Sequence, residues 1–192
     1  DYKKWFLTLD MTIKQFTSFK NSTRYLVILF AVMLLITSRS LSFIPNFTPT
    51  ISLIVFISIM FRNNYILAFI IVLSQLISDY FLGYFSSMQF VYLGYVLIAL
   101  TSKYIMKNLS FIHIIGASCI SVLIFYLVSN YGVWHMMGLY EYSLNGLIQC
   151  YIAGIPFLKY SLISTLLYST TIYVLYKVTL SKYSNIESLL HK

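Results

Sequence analysis

The chain has 192 residues, of which 59% are hydrophobic and only 9% charged, with a formal net charge of +8 at pH 7. A soluble domain is about a quarter charged, so the composition excludes a water-soluble globule and indicates an integral membrane protein. The thirteen Lys and Arg are scattered between apolar runs rather than set along one stripe, which argues against a nucleic-acid partner.

Residues 1–24 carry Lys3, Lys4, Lys14, Lys20 and Arg24, with Phe6, Leu9, Ile13 and Phe16 at helical spacing. That pattern suits a cytoplasmic segment lying on the inner leaflet of the lipid bilayer. "YLVILFAVMLLIT" (25–37) opens a first span running to about Ile44, and because no small-residue cleavage site follows, it is a span rather than a signal peptide. "PTISLIVFISIMF" (49–61) is a short second span, residues 65–84 the third, 88–106 the fourth, 109–129 the fifth and 157–178 the sixth. The membrane domain covers 25–180, and residues 181–192 form a cytoplasmic tail.

Charge parity tests the short second span, because cytoplasmic loops collect Lys and Arg. With six spans and an inner N-terminus, eleven cations lie inside and only Arg39 and Lys159 outside. If 49–61 does not cross, the later loops invert and the bias vanishes, seven outside against six inside. Six spans with both termini cytoplasmic is the better topology.

Residues 131–156 then form the outer loop between spans five and six, without a single Lys or Arg. Glu141, Asn145 and Gln149 recur there every four residues, so a short helix over about 140–154, stopped before Pro156, sets all three on one face. That face either lies in interfacial water or turns towards a ligand. In the third span Asp79 is the only formal charge between residues 63 and 102, with Gln75 one turn before it. A carboxylate in hydrocarbon is costly unless it meets water or a partner. Asp79 is therefore either solvated near the outer end or paired with Arg39, which ends the first span at the same depth.

"IPNFTPT" (44–50) makes a proline-bounded outer turn whose Asn46 and Thr48 satisfy turn backbone or face a ligand. Asn130, Trp134, His135 and Tyr140 complete the outer set. His135 has no His or Cys at metal-ligand spacing, so no metal is expected. Cys119 and Cys150 lack CxxC spacing and fit as small buried hydrophobes. No phosphate-binding loop, dinucleotide fingerprint or HExxH occurs, and "GASC" around Ser118 has no histidine in a later span to serve as base, so neither an enzyme nor a cofactor is expected.

The candidate ligand-binding residues are thus Arg39, Asn46, Asp79, Asn130, Trp134, His135, Tyr140, Glu141, Asn145 and Gln149, all at outer depth. Aromatic walls with a few orienting polar groups suit a water-soluble organic solute. Trp134 and Tyr140 are expected to stack on it, Asn46, Asn130 and Asn145 to hydrogen-bond it, and Asp79 and Glu141 to face a cationic or donor-rich part.

"NFTP" (46–49), "SDYFLG" (78–83), "SNYGVW" (129–134), Tyr140, "NGLIQCY" (145–151) and "IPF" (155–157) resemble, in order and spacing, the pattern of a bacterial six-span membrane family. That family is itself similar to the S-components, the substrate-binding subunits, of energy-coupling-factor vitamin transporters. The resemblance covers about residues 25–178 and implies an outward-facing vitamin site beneath the loops after spans one, three and five. It also implies a separate T-subunit and two ATPases supplying energy from the cytoplasm. S-components often dock that module through Ala-x-x-x-Ala in an early span, whereas Ala31 is followed here by Leu35. The aspartate of the pattern's last span is replaced by Ser164-Thr165-Leu166.

The expectation is an all-α integral membrane protein of the bacterial cytoplasmic membrane, with six transmembrane helices and a short outer helix between spans five and six. It binds a small vitamin-like or nucleobase-like solute outside and helps move it inward. The alternative is a non-transporting interaction or assembly subunit.

Overall fold

Among the described residues six helices follow one another: α1 (Asn21–Thr37), α2 (Thr50–Met60), α3 (Asn64–Leu82), α4 (Met88–Ile105), α5 (Phe111–Met136) and α6 (Leu144–Leu190). The computed structural model describes residues 21–40, 44–61, 63–106 and 110–190, and their side chains except at 21–25, 27 and 179–190. The expected interfacial segment over residues 1–20 and the cations Arg62, Lys107 and Lys192 lie outside the described residues. Among the described residues every regular element is helical.

Among the described residues four helices are long and apolar enough to cross a membrane: α3, α4, α5 and residues Leu144–Val178 of α6. The 26 residues of α5 reach ~39 Å at ~1.5 Å per residue, more than the ~30 Å of a hydrocarbon core. The exterior agrees with such a setting, since Phe69, Phe81, Ile112 and Leu175 are 61% to 74% exposed. Water penalises bulky apolar groups displayed in that way and lipid does not.

The core is built around α2, which packs against α1, α4, α5 and α6 and is buried from Thr50 through Ser58. A helix apolar all round belongs inside a protein, and α2 is that helix. Its 11 residues span only ~16 Å, so the stretch 49–61 is a short core helix that does not by itself reach across a bilayer. Small hydroxyl residues let its neighbours come close and use their polarity internally. Ser52 Oγ donates to the Thr165 carbonyl at 2.9 Å, Ser38 and Thr50 share a 3.0 Å bond, and Ser118 donates to Ser169 at 2.8 Å.

Two boundaries depart from those expected. α5 continues to Met136, where the Met137 N–H still bonds the Val133 carbonyl at 3.1 Å and Gly138 turns the chain with φ +64. Glycine just beyond a helix end adopts that left-handed conformation without a Cβ clash, and no breaker precedes it. The connection between α5 and α6 is therefore 137–143, not 131–156. The separate outer helix is also absent: α6 runs from Leu144 through Pro156 without interruption. Proline removes one backbone donor and crowds the preceding turn. The helix is fastened on both sides of that defect, by Tyr126 Oη to the Tyr151 carbonyl at 2.5 Å before it and by the Ser118–Ser169 bond after it.

Candidate ligand-binding site

α1, α3 and α5 finish, and α2, α4 and α6 begin, at the same end of the bundle, and there the helices enclose a cavity of about 590 Å³. That volume falls in the ~300–1,000 Å³ range of small-molecule sites. Its apolar walls come from Val91 and Tyr95 on α4, Phe125 and Val133 on α5, and Phe157 on α6. Tyr95 lies stacked on Phe125, ring centroids 5.0 Å apart and 12° from parallel, which holds both rings in place.

Arg39, two residues beyond α1, lines the cavity with its side chain 19% exposed. Its Nη1 donates to Asp79 Oδ1 at 2.5 Å and, more weakly, to Gln75 Oε1 at 3.4 Å. Asp79 is completely buried, and its second oxygen accepts from the Tyr92 hydroxyl at 2.6 Å. The sequence therefore paired the right charges, but Asp79 does not line the cavity: both its oxygens are taken and it is buried. A buried carboxylate is retained where a cation and further donors satisfy it, and Arg39 with Tyr92 supplies both.

Asn130 lines the cavity from α5, and its Nδ2 donates to its own helix at the Tyr126 carbonyl, 2.8 Å away. Among the described residues nothing donates to its Oδ1. The amide lies against α6 at Gly154, where an added Cβ would come within 2.4 Å of Asn130 Oδ1, so a glycine is what leaves it room. Cys150, one turn earlier on the same face, donates its thiol to the Asn130 carbonyl at 3.3 Å. Asn46 reaches the cavity from the α1–α2 connection with φ +60, a conformation asparagine tolerates better than most residues. Its carbonyl accepts from Ser164 Oγ at 3.3 Å. Tyr140 closes the set from the α5–α6 connection.

The other five candidates lie elsewhere. Trp134 is stacked on Tyr142, centroids 4.5 Å apart and 10° from parallel, and its Nε1 donates to the Glu141 carbonyl at 3.1 Å. His135 lies over Tyr131 at 5.8 Å and shares a 3.2 Å hydrogen bond with the Tyr142 hydroxyl. These rings brace the α5–α6 connection, and Trp134 does not line the cavity. Glu141, Asn145 and Gln149 are all exposed, but α6 begins at Leu144, so Glu141 stands in the connection before it and only Asn145 and Gln149 share a helix face. The face that α6 turns inward carries Gly146, Cys150 and Gly154, all buried, one residue round the helix from the polar stripe. The Glu141 carboxylate accepts from Ser143 Oγ at 3.1 Å, and Ser143 in turn accepts from the Gly146 N–H at 3.2 Å, which caps α6.

Residues absent from the candidate set contribute as much: Tyr95 and Phe125 form the aromatic wall, while Gln75 and Tyr92 stand behind the Arg39–Asp79 pair. The Gln75–Asp79 spacing was a signal for the second group. Nothing in an apolar span distinguishes a tyrosine facing a cavity from one facing lipid.

A family model matches residues 19–188, described as a family of unknown function, DUF6580. The chain belongs to that family. The DUF6580 match spans all six helices but for the last two residues of α6, so the cavity is a feature of the family's region of the chain. No curated protein and no solved structure matches this DUF6580 chain.

Proposed function

We propose that this DUF6580 protein binds a small organic solute in the cavity and takes part in its uptake across the bacterial cytoplasmic membrane. On this view the chain crosses six times with both termini inside. α2 completes its crossing within the bundle, where its short ends meet protein instead of lipid, the condition under which incomplete spans are tolerated. The cation bias then sets the cavity outside, since Lys103 and Lys177 belong to the opposite end and only Arg39 and Lys159 to this one.

The observation that supports this view best is the cavity itself, which gathers a guanidinium, two amides and aromatic rings at the cation-poor end. The lining groups suit binding and orienting a solute. A T-subunit and two ATPases are the partners that the motif resemblance implies for inward movement. One observation favours the interaction-subunit alternative: the exposed Glu141, Asn145 and Gln149 edge is free to meet a partner protein.

Purification in mild detergent followed by mass spectrometry of extracted small molecules separates the two. A solute site predicts a co-purified compound whose re-addition at about a hundred times its Kd stabilises the protein by ~2.7 kcal/mol. It also predicts that Asn130→Ala weakens binding by roughly tenfold, the worth of one hydrogen bond. An empty protein that shifts with no member of a vitamin and nucleobase panel excludes solute binding and leaves the interaction subunit.

A further inference from the structure

Resting on that solute site, we infer that the solute carries a carboxylate that docks on Arg39. Among the residues lining the cavity Arg39 is the only one with a formal charge. Its Nη1 is committed to Asp79 and Gln75, while Nη2 and Nε have no partner among the described residues. A guanidinium is a planar fork that binds carboxylates through two parallel N–H bonds. With Nη1 held from behind, the donors left over form one edge of that fork, on a side chain that the cavity reaches.

The same geometry disfavours other charges on the solute. A cationic group would meet the Arg39 guanidinium with no accessible carboxylate beside it, since Asp79 has a side-chain exposure of 1% and both oxygens engaged. Glu141 does not line the cavity and is bonded to Ser143. For a phosphate dianion the lining offers a single cationic side chain, which matches one negative charge. Asp79 also sets the strength of the interaction: it leaves the empty site without net charge, and it opposes part of the pull on an arriving anion. The site is thereby suited to reversible capture. The rest of the solute meets Tyr95, Phe125, Val91 and Phe157, with Asn130 as a hydrogen-bonding partner, so the class is an amphipathic acid with a ring system and at least one further polar group.

The test uses the full chain in lipid nanodiscs and a matched set of probes: 2-naphthylacetate, its amide, and 2-(2-naphthyl)ethylamine, titrated by calorimetry. The carboxylate is expected to bind at least about tenfold more tightly than the amide, and the amine more weakly still. In the double variant Arg39→Gln/Asp79→Asn, which removes both charges and keeps side-chain size, the preference should fall below about threefold; circular dichroism and thermal unfolding check that the variant folds. An amide or amine that binds as well as the carboxylate overturns the carboxylate assignment while the solute site stands. If no probe binds, the molecule extracted from the purified protein decides: an acid supports the inference and a neutral or cationic compound overturns it. No probe bound and nothing extracted overturns the solute site and the carboxylate together.

Discussion

Replacing Arg39 should be far more damaging than replacing the acid it pairs with, although the two form a single ion pair. Arg39→Gln strands a carboxylate that is 1% exposed, and removing one partner of a buried pair costs ~3–5 kcal/mol. The Tyr92 hydroxyl still donates to Asp79 at 2.6 Å, so the lower end, ~3 kcal/mol, is the better expectation. Asp79→Asn instead leaves a guanidinium that is 19% exposed to the cavity and keeps an acceptor in place, for a loss of ~1–2 kcal/mol. The double variant leaves neither charge buried and should lie within ~1 kcal/mol of the parent, giving a coupling of ~3–5 kcal/mol. For a chain of this length each kcal/mol moves Tm by ~2–4 °C, so thermal unfolding in nanodiscs, followed by circular dichroism, resolves the order. An Arg39→Gln variant no less stable than Asp79→Asn, or a double variant equal to the sum of the singles, refutes the reasoning.

Gly154→Ala brings a Cβ within 2.4 Å of the Asn130 amide, whereas at Gly116 nothing lies within 4 Å; the first should lose ~1–3 kcal/mol and the second gain up to ~1 kcal/mol from helix propensity, read as opposite shifts in Tm. The Ser118 hydroxyl donates to Ser169 at 2.8 Å inside the bundle, so either alanine variant should cost ~0.6 kcal/mol and the double little more than either one, since both polar partners are then gone; a double-variant cycle with additive losses contradicts the contact. Trp134→Ala loses its stack on Tyr142 and its bond to Glu141 and should lower Tm, while binding of a carboxylate probe stays within about twofold of the parent because Trp134 does not line the cavity.

How far the sequence anticipates these features depends on how rare the residue is in its surroundings. A lone carboxylate in an apolar span demands a partner, and one arginine stood at the same depth, so Arg39 and Asp79 could be joined without a structure. The i, i+4 spacing of Glu141, Asn145 and Gln149 suggested a common helix face, but α6 begins at Leu144, so only Asn145 and Gln149 share one, and the spacing gave no sign which way it turned. That face is exposed because the buried side of α6 carries Gly146, where the Glu141 backbone folds back, and Cys150 and Gly154, which meet Asn130 of α5. Tyr95, Phe125 and Phe157 were invisible because lipid and core ask for the same apolar residues. Pro156 misplaced a helix end since it removes a single bond from a helix secured along its length. For 49–61, charge parity speaks only to how many times the chain crosses. The eleven-residue form of α2, buried from Thr50 through Ser58, is a matter of tertiary packing that no count of cations contains.

Sidedness is tested most directly by a cysteine placed at Leu139, which lines the cavity and is 66% exposed, in a Cys119→Ala background where the remaining Cys150 is only 1% exposed. A membrane-impermeant maleimide added to intact cells should label Leu139→Cys at once, and Tyr104→Cys, at the opposite end of α4, only after the membrane is opened. Labelling of position 104 from outside, with 139 protected until permeabilisation, would turn the cavity towards the cytoplasm and contradict capture of a solute from outside.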